Sequence, residues 1–387
     1  MNRVSVAMAI VSGLILGSGC GGGGEMTSAS SGIGSSSGSA GGSDAGHPSV
    51  TCADAEPKGI MITDVDALGG QPFALGYPPY AIDGCRLLYV APGTSPGSSG
   101  ELRLRDLQSG KETAIEPAGA HPRRPAARGG WMAWEATENG VAVVRASSGQ
   151  EILTMKGPFD HAGEPRCAEG AVVFTGWLGP KDTADTDVFV FQPATGSVID
   201  VSPGPGQQRF PDVSATHIAW TDFAEDPDGT FDDNAADAAD IALLDRGGGA
   251  PIARKLPGKQ AFAMLGAPGR IAYLSWGLVH PEPKFSEFDL RVGDLVAAVD
   301  ADVTVDHVIT QSPYVRPAAL GKWLEWVRWP AVESPSLLRR PADLSAPASA
   351  IPTLDAMELY TPTASDALTL VGARAPGGPL TLAIFSR

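Results

Sequence analysis

Apolar residues recur along the chain in short runs, and each run is bounded by glycine, proline, serine or aspartate. Short apolar runs between turn residues are typical of β-strands. No segment keeps the period of an amphipathic helix over several turns, and 48 glycines and 33 prolines interrupt the 387-residue chain. The pattern therefore predicts an all-β protein.

One run that ends in an aromatic residue repeats along the chain. The spacings between successive copies are 45, 40, 46, 53, 53 and 45 residues. The last positions of the copies are Tyr89, Trp134, Phe174, Trp220, Tyr273 and Trp326, with a weaker seventh copy at Val371. When each copy is numbered from the residue thirteen places before its aromatic, called register zero, the six strong copies align without gaps. A fixed period of this kind predicts repeated structural units.

Most copies predict four strands, and no third strand is assigned in the sixth copy. Two strands flank a short turn, as in 210–213 and 217–220, a third follows a variable loop, and a fourth follows another turn. Four strands in a period of about 45 residues are typical of one propeller blade. The seventh copy lacks a fourth strand, whereas a spare strand, Gly59–Val65, precedes the first copy. We therefore expect a seven-bladed β-propeller closed by this N-terminal strand, which removes two exposed sheet edges.

The first twenty residues predict an export signal. Arg3 is followed by an apolar run over 4–16, which is too short to span a bilayer, and then by small residues up to Cys20. This end resembles a bacterial lipoprotein signal in which Leu16 stands one place too early. We expect lipid on Cys20; the alternative is an ordinary cleaved signal with a cysteine nearby.

The next segment, 21–50, consists almost entirely of glycine, serine and alanine and predicts a flexible tether. The propeller is then expected over 51–387, lipid-anchored at the periplasmic or outer-membrane face of the cell envelope. The net charge of -16 argues against nucleic acid and anionic lipid surfaces as partners and favours cations and basic peptides. We expect a monomer that touches the membrane only through its lipid.

The fourth copy carries a recognisable motif. It reads QQRFPDVS at 207–214, IAWTD at 218–222 and DIALLD at 240–245, and DVFVF at 187–191 matches the last element in the preceding copy. These residues resemble the repeat of TolB-like, or WD40-like, propellers of exported bacterial proteins. The resemblance covers most of 76–387 and implies the fold, but that family hosts several functions, so the fold implies none of them.

Three cysteines remain after Cys20, so an oxidising compartment predicts one disulfide and one free thiol. Cys52 lies just before the closing strand, and Cys85 lies just after the first turn of blade one. Propeller topology places both on the same face, one blade apart. Cys167 lies two blades further round. We therefore expect a Cys52–Cys85 bond and a buried thiol at Cys167.

Four polar residues share register zero in consecutive copies: His121, His161, Gln207 and Gln260. Register zero precedes the innermost strand, so these side chains are expected at one mouth of the central channel. They would suit a polar ligand or a metal. The set distantly resembles the His/Gln manganese site of propeller oligogalacturonate lyases, but a third histidine is missing. The alternative is that each side chain bonds the loops of its own blade.

A second set of residues stands three places after the repeat aromatic and comprises Trp177, Phe223, Trp276 and Trp329. These residues begin loops that open on the same face as register zero. An aromatic collar there would stack a sugar or clasp a peptide. Packing between loops is the alternative interpretation.

The longest loop of that face, 222–240, holds eight acidic residues and no basic one. The candidate calcium ligands are Asp226, Asp228, Asp232 and Asp233. Their spacing differs from that of an EF-hand, and a solvated acidic loop is the alternative.

These observations favour a non-catalytic cell-envelope module whose propeller face binds a protein, peptide or glycan. The alternative function is a polysaccharide lyase or hydrolase that uses the His/Gln set with manganese or calcium. A purely structural propeller is a third possibility. The serine-hydrolase pattern at 93–97 has no helix after it, so it does not predict a nucleophile.

Overall fold

The computed structural model describes residues 52, 60–62, 77–94, 99–149, 151–179, 185–226, 239–276, 287–309, 316–328, 334–351, 358–375 and 378–387. These residues form seven antiparallel sheets of four strands, so the predicted all-β, seven-bladed propeller is confirmed. No helix in this part of the chain is long and apolar enough to cross a bilayer.

In each of the first four blades, the four strands pair in the order in which they occur along the chain. Their strands are β1 Tyr80–Asp83, β2 Arg86–Pro92, β3 Ser99–Asp106 and β4 Glu112–Glu116; β5 Arg123–Arg128, β6 Trp131–Glu138, β7 Val141–Ser147 and β8 Leu153–Thr154; β9 His161–Ala168, β10 Ala171–Trp177, β11 Thr186–Gln192 and β12 Ser197–Asp200; and β13 Gln208–Val213, β14 His217–Asp222, β15 Asp240–Asp245 and β16 Ile252–Arg254.

The last three blades continue this order. Their strands are β17 Lys259–Met264, β18 Arg270–Trp276, β19 Glu287–Asp294 and β20 Val303–Ile309; β21 Ala318–Leu320, β22 Trp323–Arg328, β23 Ser336–Pro341 and β24 Ser349–Ile351; and β25 Glu358–Leu359, β26 Thr363–Ala364, β27 Leu368–Arg374 and β28 Leu380–Ser386. In blade seven, β25 and β26 both pair with β27 as an interrupted inner strand. The two 3-10 helices of the described chain are Ala118–Ala120 and Val299–Ala301.

The N-terminal segment closes the ring. The amide of Ile62 donates to the carbonyl of Leu380 at 3.2 Å, and the amide of Leu382 donates to the carbonyl of Ile60 at 3.1 Å. This antiparallel pairing with β28 supplies the fourth strand of blade seven, as predicted. The described part of that strand, 60–62, is shorter than the predicted range.

The predicted disulfide between Cys52 and Cys85 is present, with the two Cα atoms 5.6 Å apart. It ties the chain ahead of the closing strand to blade one, where it restricts the unfolded chain more than the folded one. Cys167 is a buried free thiol, and burial raises its pKa to about 12. The thiol is therefore protonated and unreactive at neutral pH.

The repeat aromatics pack between blades, because each sheet buries both faces against its neighbours. Trp134 is fully buried, and its indole nitrogen donates to Glu116 on the outer strand of blade one at 3.0 Å. Trp326 repeats this contact with Asp306 of blade five at 2.6 Å. The same sequence position thus provides both a hydrophobic contact and a polar link to the preceding blade.

The inner strands of blades two to five each contain a β-bulge. One residue in each bulge has a left-handed backbone; these residues are Arg124, Glu164, Phe210 and Phe262, with φ between 50° and 60°. Side chains other than glycine adopt this conformation rarely. A bulge of this kind bends the strand and changes the direction of its side chain. Proline directly follows three of the four, at Pro125, Pro165 and Pro211, so a proline that recurs four places after register zero marks the bulge.

Candidate functional site

The centre of the molecule is marked by Tyr77, which precedes β1. Its ring centroid lies 4.1 Å from the guanidinium carbon of Arg166, 5.7 Å from that of Arg124 and 5.8 Å from that of Arg316. These arginines belong to blades three, two and six. A side chain can contact blades on opposite sides of the ring only near the propeller axis, so Tyr77 lies in the central channel.

Aromatic side chains fill the channel on the register-zero side. Phe210 and Phe262 have ring centroids 4.7 Å apart and share one buried cluster with Tyr77. We call these three residues the channel aromatics. All three are less than a tenth exposed, and each comes from a different blade. This level of the channel is therefore packed like a protein core.

Two acidic residues beside the channel aromatics are neutralised by arginines. Glu164 accepts hydrogen bonds from Arg209 at 2.5 Å, from the hydroxyl of Thr175 at 3.0 Å and from the amide of Phe210 at 3.1 Å. Glu135 accepts from Arg124 at 2.7 Å. Since these carboxylates are almost fully buried, their ion pairs compensate the loss of hydration.

Beyond Tyr77 the channel contains a cavity of about 120 Å³. Residues from the inner strands of all seven blades line it, including the polar residues Arg128, Arg166, Asp212, Arg316 and Thr361. Most of these positions lie in the middle or at the far end of an inner strand. The cavity thus lies on the other side of Tyr77 from register zero.

Positive charge dominates this cavity. Arg128 donates to the backbone carbonyls of Val213 at 3.0 Å and Leu265 at 3.4 Å, across the channel from its own blade. The carboxylate of Asp212 accepts from the amide of Leu265 at 2.7 Å. We call Arg128, Arg166 and Arg316 the cavity arginines; Asp212 is the one acid beside them in the described lining.

Arg316 is the most buried of the cavity arginines, with 3% of its surface exposed. Its Nη2 donates to the carbonyl of Ala263, and its Nη1 has no partner with hydrogen-bonding geometry among the described residues. Burial, and then the positive charge of Arg166, lower the pKa of Arg316, and Tyr77 and Asp212 offset only part of this effect. The guanidinium is therefore held in a place that disfavours its charge.

Sequence reasoning missed the cavity arginines, although a signal for one of them was present. The recurring proline marks the bulge, and the residue before it faces the channel region in several blades. In blade six that residue is Arg316, just as Arg124 and Glu164 precede Pro125 and Pro165. Aligning the residues before this proline would have shown that charged groups collect there.

The register-zero histidines differ in environment. The imidazole of His161 stacks on Trp177, with ring centroids 5.5 Å apart and an interplanar angle of 7°. His121 is exposed and ends the 3-10 helix Ala118–Ala120 with a left-handed backbone. The contact of His161 within its own blade fits the packing alternative. The role of both residues in ligand binding stays a prediction.

The two register-zero glutamines are buried, and one is out of register. Gln260 pairs with Ser275, whereas Lys259 pairs with Trp276 as His161 pairs with Trp177. The connection after β17 is longer than in other blades, so the ungapped alignment is wrong by one residue in blade five. The side-chain oxygen of Gln260 accepts from the amide of Leu256 at 3.0 Å, a bond to the preceding loop.

The predicted aromatic collar is wrong for the described members. Trp177, Phe223 and Trp276 are 6%, 0% and 6% exposed, so their rings have no free face for a sugar or peptide. Trp276 packs instead against Phe262 and Phe288. The alternative of packing is correct here because the loops turn these apolar rings inward. Trp329 lies outside the described residues.

The calcium and lipid predictions fall largely outside the structure. Asp226 is 8% exposed, and its amide donates to the carbonyl of Phe223 at 3.0 Å. Asp228, Asp232, Asp233 and Cys20 lie outside the described residues. Within the described ranges, no group of three His, Cys, Asp or Glu side chains is placed to hold a metal ion.

No protein-family profile and no curated protein matches this sequence. Solved structures resemble its fold. The propeller domain of the Trilobed protease from Pyrococcus furiosus is 9% identical over 80% of this chain and 97% of that chain, with a TM-score of 0.57. A puromycin-hydrolyzing peptidase from Mycobacterium tuberculosis is 11% identical over 85% of this chain and 54% of its own, with a TM-score of 0.53.

TolB proteins are also among the similar solved structures. TolB from Acinetobacter baumannii is 13% identical over 67% of this chain, with a TM-score of 0.44, and the match spans 62% of TolB. At these identities the likenesses show the propeller fold alone.

Proposed function

We propose that this protein is a non-catalytic binding protein of the cell envelope that takes part of a protein, peptide or glycan into its central cavity. The observation that carries this proposal is the cavity itself, which inner strands of all seven blades line and which holds three arginine side chains. A concave site with a few converging polar groups is the usual form of a ligand site.

We further propose that the chain is exported and lipid-anchored through Cys20. The signal-like pattern over residues 1–20 and the tether over 21–50 support this proposal. The Cys52–Cys85 disulfide also fits an oxidising compartment. If Cys20→Ser leaves the protein in the detergent phase of a partition assay, the anchor is assigned to the wrong residue.

Site-specific photo-crosslinking tests the binding site in cells. A photoreactive residue replaces Ala127, which lines the cavity, or, as the control, Ile252, which is 68% exposed on the outer strand of blade four. We expect a covalent adduct from position 127 and none from position 252. Adducts only from position 252 would show that the partner uses the blade edges instead.

The enzymatic alternative predicts a different result from the same protein. A lyase or hydrolase would release oligosaccharides from polygalacturonate or another polysaccharide when manganese or calcium is added. Accumulation of such products, abolished by His161→Ala, would replace the binding proposal with catalysis.

A further inference from the structure

We infer that the channel cavity is a carboxylate-binding site whose ligand group is held by Arg166 and Arg316. This inference rests on the proposed binding function and names the chemistry that the cavity recognises. The carrier of the carboxylate is an acidic side chain, a chain end or an acidic sugar of the ligand.

Guanidinium groups from two distant blades converge at the cavity. Arg166 comes from blade three and Arg316 from blade six, yet both guanidinium groups lie against the ring of Tyr77. Two cations that face one another without a shared anion repel, and the charge of Arg166 accordingly disfavours that of Arg316. An anion between the two groups would remove this repulsion.

The described neighbours of Arg316 use its hydrogen-bonding capacity only in part. Its Nη1 and the hydroxyl of Tyr77 are buried and have no partner among the described residues that meets strict hydrogen-bond geometry, although the two side chains are close enough for Tyr77 to raise the pKa of Arg316. Buried polar groups are nearly always hydrogen-bonded, so an unpaired one requires an explanation. A carboxylate oxygen satisfies a guanidinium nitrogen with a short, charge-assisted hydrogen bond.

The charges in and around the cavity are positive on balance. Glu135 and Glu164 are already paired with arginines at the level of the channel aromatics. The remaining acid, Asp212, faces three cavity arginines. The cavity is therefore positive although the whole chain carries a net charge of -16, because salt largely screens exposed charges more than about 10 Å away.

The size of the cavity and the proposed ligand classes limit the ligand group. The cavity volume of about 120 Å³ is roughly ten times the space that a single water needs. Alanines and prolines form much of the wall, so a short aliphatic stem fits beside the charged head. Three arginines against one aspartate attract any small anion. The carboxylate is the anion that a protein, peptide or glycan ligand carries as an acidic side chain, a chain end or an acidic sugar.

Thermal unfolding of the full chain tests this inference with sodium acetate as the probe. Sodium chloride at equal ionic strength is the reference. We expect acetate to raise the Tm by about 2 °C or more and the rise to saturate. The same saturating rise is expected for Arg105→Gln, which removes a positive charge from an outer strand of blade one, far from the cavity. Arg316→Gln should abolish it.

A second variant guards against misfolding of the first. Arg166→Gln changes a partly exposed side chain and should also remove the acetate response. An acetate response that is absent in the unsubstituted protein, or retained in both Arg166→Gln and Arg316→Gln, would overturn the inference. So would a larger response to phosphate or sulfate than to acetate.

Calorimetric titration then identifies the carrier. The ligands are a neutral peptide with a free carboxyl end, a glutamate-containing peptide with an amidated end, and galacturonate. Binding of any of these that is lost in Arg316→Gln supports the carboxylate site and names its source. If position 127 still forms a photo-adduct but none of the carboxylates binds, this inference fails while the proposed binding function stands.

Discussion

The two levels of the central channel are built from the same strands but in opposite ways. On the register-zero side, Phe210 and Phe262 pack together, and the nearby carboxylate of Glu164 is fully engaged. Beyond Tyr77, by contrast, Arg166 and Arg316 face a cavity with one acid for three arginines. The first level follows the rules of a stable core, whereas the second departs from them.

This difference indicates which part of the channel stabilises the ring and which part binds. Packed rings lower the free energy of the folded state, and pairing offsets most of the cost of burying a charge. A buried cation without a counterion raises it, so such a group is retained at a cost to stability. Functional sites are where such departures from a stable core are expected.

The largest effect is expected from Phe210→Ala, which breaks the packed level. Phe210 is fully buried, and its removal should lower the free energy of unfolding by about 3–5 kcal/mol. Urea unfolding at 25 °C measures this change. Phe385→Ala, on the partly exposed third strand of blade seven, is the control and should cost clearly less. Equal losses at both positions would mean that the channel aromatics are no special core.

Glu164→Gln should have the next largest effect. It replaces the carboxylate that pairs with Arg209 by a neutral amide, whose oxygen can still accept from the amide of Phe210. We expect a loss of about 2–3 kcal/mol, less than for complete removal of a buried ion-pair partner. The control is Glu138→Gln, whose carboxylate is half-exposed beside Arg145 and should change stability little. Indistinguishable urea midpoints for the two variants would contradict this.

The seven-fold repeat made the overall propeller fold predictable from the sequence. The aromatic period, the closing strand before Tyr77 and the Cys52–Cys85 bond all follow from local patterns and from the topology of a closed ring. The third strand of blade six, Ser336–Pro341, was not predicted, because blade six departs from the repeat pattern. The shift at Gln260 was missed because loop length varies independently of the strands.

The cavity was not predictable in the same way. Net charge suggested cationic partners, but it sums over a surface, whereas Arg166 and Arg316 meet only because a ring brings blades three and six together. The aromatic positions Trp177 and Trp276 were misassigned because a sequence shows which residues begin a loop and not which way their side chains turn. Within each bulge, the left-handed backbone of one residue changes the direction in which its side chain points.

Arg316→Met should separate stability from binding. Methionine fills a similar volume without a charge, so the substitution removes the cost of desolvating the guanidinium while losing its hydrogen bond to Ala263. We expect the free energy of unfolding to change by less than about 1 kcal/mol or to rise. The response to acetate should disappear in the same variant. A loss of several kcal/mol would mean that Arg316 belongs to the stabilising level of the channel after all.

The smallest effect concerns pH and extends the comparison to Asp187 at the start of β11, on the register-zero side of blade three. Burial, and then the charges of Asp200 and Asp185, raise the pKa of Asp187 to about 6. In the unfolded chain the pKa of this carboxyl is about 4. A raised acid pKa means that the folded state holds its proton more tightly, so this group favours folding below about pH 4 and that contribution is lost as the pH rises toward 6. Because Asp187 is partly exposed, the effect should stay below about 1 kcal/mol.

The Tm of the unsubstituted protein should therefore fall slightly more between pH 4 and pH 6 than the Tm of Asp187→Asn. Arg316→Met is the control: it removes a group that stays protonated throughout this range, so its Tm should fall as much as that of the unsubstituted protein. Parallel Tm profiles for the unsubstituted protein and Asp187→Asn would show that the register-zero side contributes no pH dependence through this residue.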